Sequence, residues 1–477
     1  MLRASRLCFL ALLAVISASP LSAAEPWEAG PFVADPAELL RAASAVETAS
    51  GEEGVIVLFA DARYEYDEQG RATRVRRMVY RIVGTSADSD WSEISDRWSP
   101  WYQERPELKA RVVTPDGTVH LLDPATFADS ATHQEPEMFE DGRILRAPLP
   151  AISPGAVVET EETSRDKAPF FDRGTVEMLP VRMLVPVRHI RIAVEAPSAL
   201  PLRHVARALP PEGTREEILD GRRRLTFEYR DIAAFGEDDF ELGIPSDVPW
   251  LSYVGFSTAP SWSEVAKRYS EIVEEAIRKS DSDEALRSFL RAANAPGKTP
   301  RETLDRILQR MGSEIRYTGI ELGEGSIIPR TPAETLRRKF GDCKDKAVLL
   351  TALLRKLDIP AHVALLRAGE YLPEVEESLP GMGSFNHAIV VVPGEPAIWI
   401  DPTDRYARAG ELPAGDQGRL ALIAIPTSDS LVRTPEARAA DNREVETREV
   451  FLADLGPARI VETSELRGVA ERELRAS

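Results

Sequence analysis

The hydrophobic period of this chain changes once, near Pro260, and that change limits the folds open to it. From about residue 54 to 235, apolar residues gather in short β-rich runs punctuated by Gly, Pro and Asp. From Ser261 onward they recur at helical spacing, interrupted by short strand-like runs. The pattern predicts a multidomain chain: an all-β, sandwich-like N-terminal domain, then an α+β domain. At 477 residues the chain is long enough for two to three cores.

Turn chemistry supports the β half. Residues 55–66 and 75–83 flank Asp67-Glu68-Gln69-Gly70, and residues 110–113 and 118–121 flank Pro115-Asp116-Gly117. Both read as hairpins. Further extended runs cover 156–162, 187–195 and 223–229, and Trp91, Trp98 and Trp101 read as core or platform residues. In the second half, Ser261-Trp262-Ser263-Glu264 and Thr331-Pro332-Ala333-Glu334 are helix-start signals. Helices are also expected over 283–293 and from Thr299 through Met311.

Composition narrows the function. A net charge of −19 excludes a general nucleic-acid binder, which needs a basic surface. Residues 1–24 have the form of a secretory signal peptide: Arg3 and Arg6, an apolar run from Leu7 to Ala18, then Ser22-Ala23-Ala24. The expected location is therefore periplasmic or secreted, with no transmembrane segment after cleavage. Of the two cysteines, Cys8 lies in this leader, so Cys343 is the thiol to explain.

Gly341 is a natural helix stop and Asp342 a natural N-cap, so an apolar helix over 343–357 should start at Cys343. The macrodipole there favours an anion. Lys344 and Lys346 are expected to be solvated, and the polar first turn argues against deep burial of the thiol. Such a nucleophile needs a base and an orienting group. His362 alternates with apolar residues and reads as structural. His387 opens a strand, and Pro393-Gly394-Glu395-Pro396 turns into the run ending at Asp401. A hairpin centred on Gly394 sets His387 beside Asp401. Cys343, His387 and Asp401 thus form a candidate nucleophile, base and orienter; a zinc site of the same three residues is a further reading.

These residues carry a resemblance. Gly341-Asp342-Cys343-Lys344-Asp345-Lys346, then Asn386-His387-Ala388, then Trp399-Ile400-Asp401-Pro402-Thr403, resembles the bacterial transglutaminase-like superfamily with an N-terminal DUF3857-type domain. The resemblance implies a β-sandwich-like domain over 50–245, a papain/transglutaminase-like domain over 255–425, and the start of a C-terminal β domain over 440–477. That last segment is short for such a domain, so the sequence is expected to be incomplete. The resemblance further implies a catalytic triad of Cys343, His387 and Asp401, with no cofactor and no metal. The expected activity is Cys-dependent acyl transfer or amide hydrolysis on a protein or peptide substrate of the cell envelope. One departure is Ile328, before Pro329, where the family often has a Gln that could serve an oxyanion hole. It keeps open the alternative of a catalytically silent binding or scaffold protein. The glycine-rich 319–326 segment reads as a groove wall, the 370–384 loop as a solvated connector or lid, and Glu237-Asp238-Asp239 and Glu374-Val375-Glu376-Glu377 as solvated faces.

Overall fold

A computed structural model describes residues 25–47, 54–84, 91–132, 138–235, 252–280, 283–293, 299–369 and 372–476. The leader-like 1–24 and the acidic run 237–239 lie outside the described residues. Helix α1 (Pro36–Ala45), capped by the Asp35 side chain, precedes an eight-stranded sheet. The strands Val55–Tyr66 and Ala72–Ile82 form the expected first hairpin, with Asp67 accepting bonds from Gln69 and Arg71 N–H and Gly70 at φ +77°. The first of these strands pairs in parallel with Val187–Pro197; the sheet's other pairings are antiparallel.

Alternation along these strands gives the sheet two apolar faces. One packs against a three-stranded sheet of Val176–Pro180, Tyr253–Ser257 and Arg203–Arg207, where the Tyr64 and Phe256 rings lie 5.0 Å apart. The other is covered by Trp27, Leu39 and Ala43. The N-terminal half is thus mostly β and sandwich-like, with one helix added. Beneath α1 a buried Glu159 receives Arg77 at 2.5 Å and Arg111 at 2.8 Å.

The second half is α+β. Helices α2 (Trp262–Arg278), α3 (Glu284–Ala293), α4 (Pro300–Glu314) and α5 (Pro332–Arg338) surround α6 (Cys343–Arg355). Ser261 and Thr331 cap α2 and α5, and Thr299 with Glu302 forms a full capping box on α4. Helix α6 packs on a five-stranded antiparallel sheet ordered Ile398–Ile400, His387–Val392, His362–Leu366, Leu420–Ile423, Val432–Arg433. Its Ala347, Val348, Leu349, Leu350, Leu353 and Leu354 are all fully buried, as an apolar helix at the centre of a domain requires.

The two halves share a core. Phe171 belongs to the same buried cluster as α6, with Trp101 and Phe170 packed against it. The strand Met138–Glu140 pairs in parallel with Gly319–Glu321, and Asp141 accepts a bond from Gly323 N–H. The 372–384 segment is no solvated connector: Val375 and Leu379 are buried, and Trp262 Nε1 donates to Glu377 O at 2.7 Å. Glu376 is likewise no solvated acid. Its carboxylate takes two bonds of 2.7 Å from Arg207 and one of 2.9 Å from Tyr253, so the other domain holds it.

Near the C-terminus Arg443–Phe451 and Arg459–Arg467 form a hairpin. An unanticipated helix, α7 (Val469–Ala476), follows and returns to the α+β domain, where Arg472 meets Asp404 at 2.8 Å. Among the described residues no helix is long and apolar enough to cross a membrane.

Candidate active site

Local sequence explains where the thiol sits. Lys339 ends α5 in the left-handed region, Phe340–Gly341 pairs with Arg316–Tyr317, and Asp342 caps α6 by accepting from Asp345 N–H. Gly341 is required by close approach: a Cβ there would stand 2.7 Å from Asp345 Cβ. Cys343 is the first residue of α6, where backbone N–H groups lack helical partners.

The expectation of an open, solvated first turn fails. Cys343 is only 9% exposed, and Lys344, Asp345 and Lys346 are also buried. Ion pairing and hydrogen bonding make this tolerable. Lys344 Nζ lies 2.5 Å from Asp342 Oδ2 and 3.6 Å from Glu321 Oε1, and Asp345 accepts from Arg330 N–H at 2.7 Å. The Glu321 contact sets the 319–326 segment beside the first turn of the thiol helix.

His387 opens its strand at a point pinned by Asn386, whose side chain bonds both N–H and C=O of Ala368. The turn centres one residue later than expected, on Glu395: Val390 faces Ile400 and Val392 faces Ile398, so every pairing is shifted by two residues. Asp401 is then diagonal to His387 rather than opposite, still on the same sheet face. His387 Nε2 and Asp401 Oδ2 are 3.2 Å apart, and the Cys343 side chain is near enough to the imidazole to act on it electrostatically. With Nε2 on Asp401, Nδ1 is the nitrogen left for sulfur. Thr403 N–H and Oγ1 both donate to Asp401 Oδ1, at 2.8 and 2.7 Å.

The electrostatics follow from this arrangement. Burial works against charge on His387, but the Asp401 carboxylate and its hydrogen bond, then Cys343, outweigh it and hold the imidazole well above its ordinary value. Burial would raise Asp401, yet His387 and the Thr403 donors keep it below the usual carboxylate range. Lys346, 1% exposed, is depressed to about 8 by burial, against the pull of Asp401 and Asp404. Tyr269 and Tyr317 lie against this cluster; burial and then Cys343 raise both phenols.

The three residues singled out from sequence therefore converge. His362 does not join them; it pairs with Arg355 at 3.4 Å, and burial and then Arg355 lower it, as its structural reading requires. Ile328 stands at 41% exposure with its N–H bonded to Glu324 O. Sequence reasoning missed Asp416, whose carboxyl lies within 4.8 Å of His387 and Asp401 ligand atoms. No motif marks it. These three residues are close enough to share a cation, but both Asp401 oxygens already accept hydrogen bonds, which fits a relay better than a metal cage.

Comparisons with known proteins bear on the families and the fold. The model of the family described as DUF3857, a domain of unknown function, matches residues 68–235, and that of the Transglutaminase-like superfamily matches 287–401. A search of curated proteins gives no match. Among solved structures, one described as a "putative protease" from Parabacteroides distasonis ATCC 8503 is 14% identical, with a TM-score of 0.63 over 88% of this chain and 96% of its own. At that identity it shows a shared fold. An M1 zinc metallopeptidase from Deinococcus radiodurans, 13% identical, covers 43% of this chain and 42% of its own at a TM-score of 0.22, too low to support any argument. The chain therefore joins, in this order, a DUF3857 domain and a domain of the transglutaminase-like superfamily that contains Cys343, His387 and Asp401.

Proposed function

We propose that the protein is a cysteine-dependent acyl transferase or amide hydrolase acting through a thioester. The observation that carries the reading is the convergence of Cys343, His387 and Asp401: the thiol at the start of its helix acts on the imidazole, which bonds Asp401, with Thr403 behind it. His387 takes the Sγ proton, and the thiolate attacks a substrate amide carbon. The tetrahedral intermediate collapses as the C–N bond breaks, and the imidazolium proton goes to the departing amine or ammonia. Water or a lysine amine then attacks the thioester, giving it up to the acid or a new amide, while sulfur regains its proton. Asp401 orients the imidazole and stabilises its charged form.

The helix N-terminus supports an oxyanion through the Cys343 N–H. Exposed Ile328 offers no side-chain donor, which favours the silent-scaffold reading as the second choice. The leader-like 1–24 supports a periplasmic or secreted location and envelope proteins or peptides as substrates. The test compares wild type with Cys343→Ala in hydrolysis and amine-incorporation assays on peptide libraries. Activity that persists without the thiol overturns the proposal.

A further inference from the structure

One buried carboxyl beside the site has no part in the steps above. Asp416 ends the short turn Ala414–Asp416, is 3% exposed, and has a buried Oδ2 without a hydrogen-bond partner when written as a carboxylate. Its carboxyl nonetheless lies within 4.8 Å of the Asp401 carboxylate, with no donor between them, among the described residues, that two ionised groups could share. Two carboxylates cannot bond to each other; a protonated and an ionised one can.

The surrounding charges point the same way. Lys346 from α6 acts on both Asp401 and Asp404, and Arg472 from α7 pairs with Asp404 at 2.8 Å and faces Asp416. Those two cations match the Asp401 and Asp404 carboxylates, and the His387 imidazolium, which also faces Asp416, is matched by the Cys343 thiolate. A third buried carboxylate would lack a counter-charge, which is costly away from water. Burial, and then the Asp401 charge, raise Asp416 to about 7 in agreement with this balance.

We infer that Asp416 is a positioning residue of this site, a neutral acid that donates a hydrogen bond to Asp401 and fixes the carboxylate face presented to His387. Thr403 fixes one oxygen of Asp401, and Asp416 restrains the carboxyl from a second direction. The inference rests on the thiol–imidazole reading proposed above.

The experiment needs no substrate. Iodoacetamide alkylation of Cys343 is followed against pH in the full chain for wild type, His387→Ala, Asp416→Asn and Asp416→Ala, each checked by thermal melting. Wild type should show an acid-side plateau that His387→Ala abolishes. Asp416→Ala should lower that plateau about tenfold, the scale of one hydrogen bond to a charged group. Asp416→Asn, whose amide still donates, should stay within about twofold of wild type. An Asn variant that falls as far as the Ala variant, or an Ala variant equal to wild type, overturns the inference while leaving the triad intact. Should Asp416→Ala not fold, the Asn variant decides alone: loss of its plateau overturns the inference, and retention supports it. Absence of a His387-dependent plateau in wild type sinks the underlying reading, and this inference with it.

Discussion

Asp401→Asn tests the direction of the hydrogen bonds behind the thiol. In the native site Thr403 supplies two donors to Oδ1, while Oδ2 faces His387 Nε2 at 3.2 Å. An asparagine must place its carbonyl oxygen against the Thr403 donors, which turns its NH₂ toward Nε2. That nitrogen then has to accept, so the imidazole proton moves to Nδ1, the side facing sulfur, and the base is lost. The attraction removed is about 5 kcal/mol for unit charges at this distance in an effective dielectric of about 20. A corresponding change in Ser-His-Asp enzymes costs about 10⁴ in rate. An ordinary cysteine is only about 0.3% ionised at pH 6, so a His387-dependent thiolate should nearly vanish there in the variant. The assay is the ultraviolet absorbance of the thiolate against pH, read beside the alkylation rate. The alkylation rate at pH 6 should fall at least about a hundredfold, with the melting temperature showing an intact fold. A variant that stays folded and alkylates within about threefold of wild type refutes the orienting role of Asp401.

Three further outcomes follow from the packing and the buried charges. Lys346 is held at about 8, below the roughly 10.4 of an unfolded lysine, so the unfolded chain binds more protons between those values. Stability should therefore gain as pH rises from about 8 to 10, and Lys346→Met should remove that gain; urea midpoints running parallel for both proteins would contradict this. Glu376 is drawn down to about 2: burial opposes this, but the bonds from Arg207, Ser378 and Tyr253 prevail. Its contribution is present above about pH 4 and lost as pH falls toward 2, so Glu376→Gln should cost about 1 kcal/mol at pH 7 and nothing at pH 2; a cost unchanged down to pH 2 counts against the ionic account. In Gly381→Ala the added Cβ would stand 2.6 Å from Val176 Cβ, and the expected destabilisation is about 1–3 kcal/mol by thermal melting. An unaltered melting temperature would mean that the segment before His387 yields freely.

What sequence made legible was local. The switch of period at Pro260, the caps at Ser261, Thr299 and Thr331, and the thiol at the start of α6 are all written in neighbouring residues. His387 and Asp401 could be joined because only a hairpin separates them, and a pairing shift of two residues, being even, left both on the same sheet face. Features made by distant chain were not legible. Burial of Lys344 depends partly on Glu321, 23 positions earlier in the chain, and Glu376 on Arg207, separated from it by 169 positions. Asp416 has no motif at all; only folding brings it to Asp401.

The parallel pairing of Met138–Glu140 with Gly319–Glu321, together with Phe171 in the α6 cluster, has an evolutionary consequence. A recombination event that exchanged the N-terminal half for an unrelated one would strip a wall from the thiol helix and leave part of its core uncovered. The thiol domain expressed without the N-terminal half should therefore be less stable than the whole chain, and substitutions at Phe139 or Phe170 should be felt around Glu321 and the α6 core.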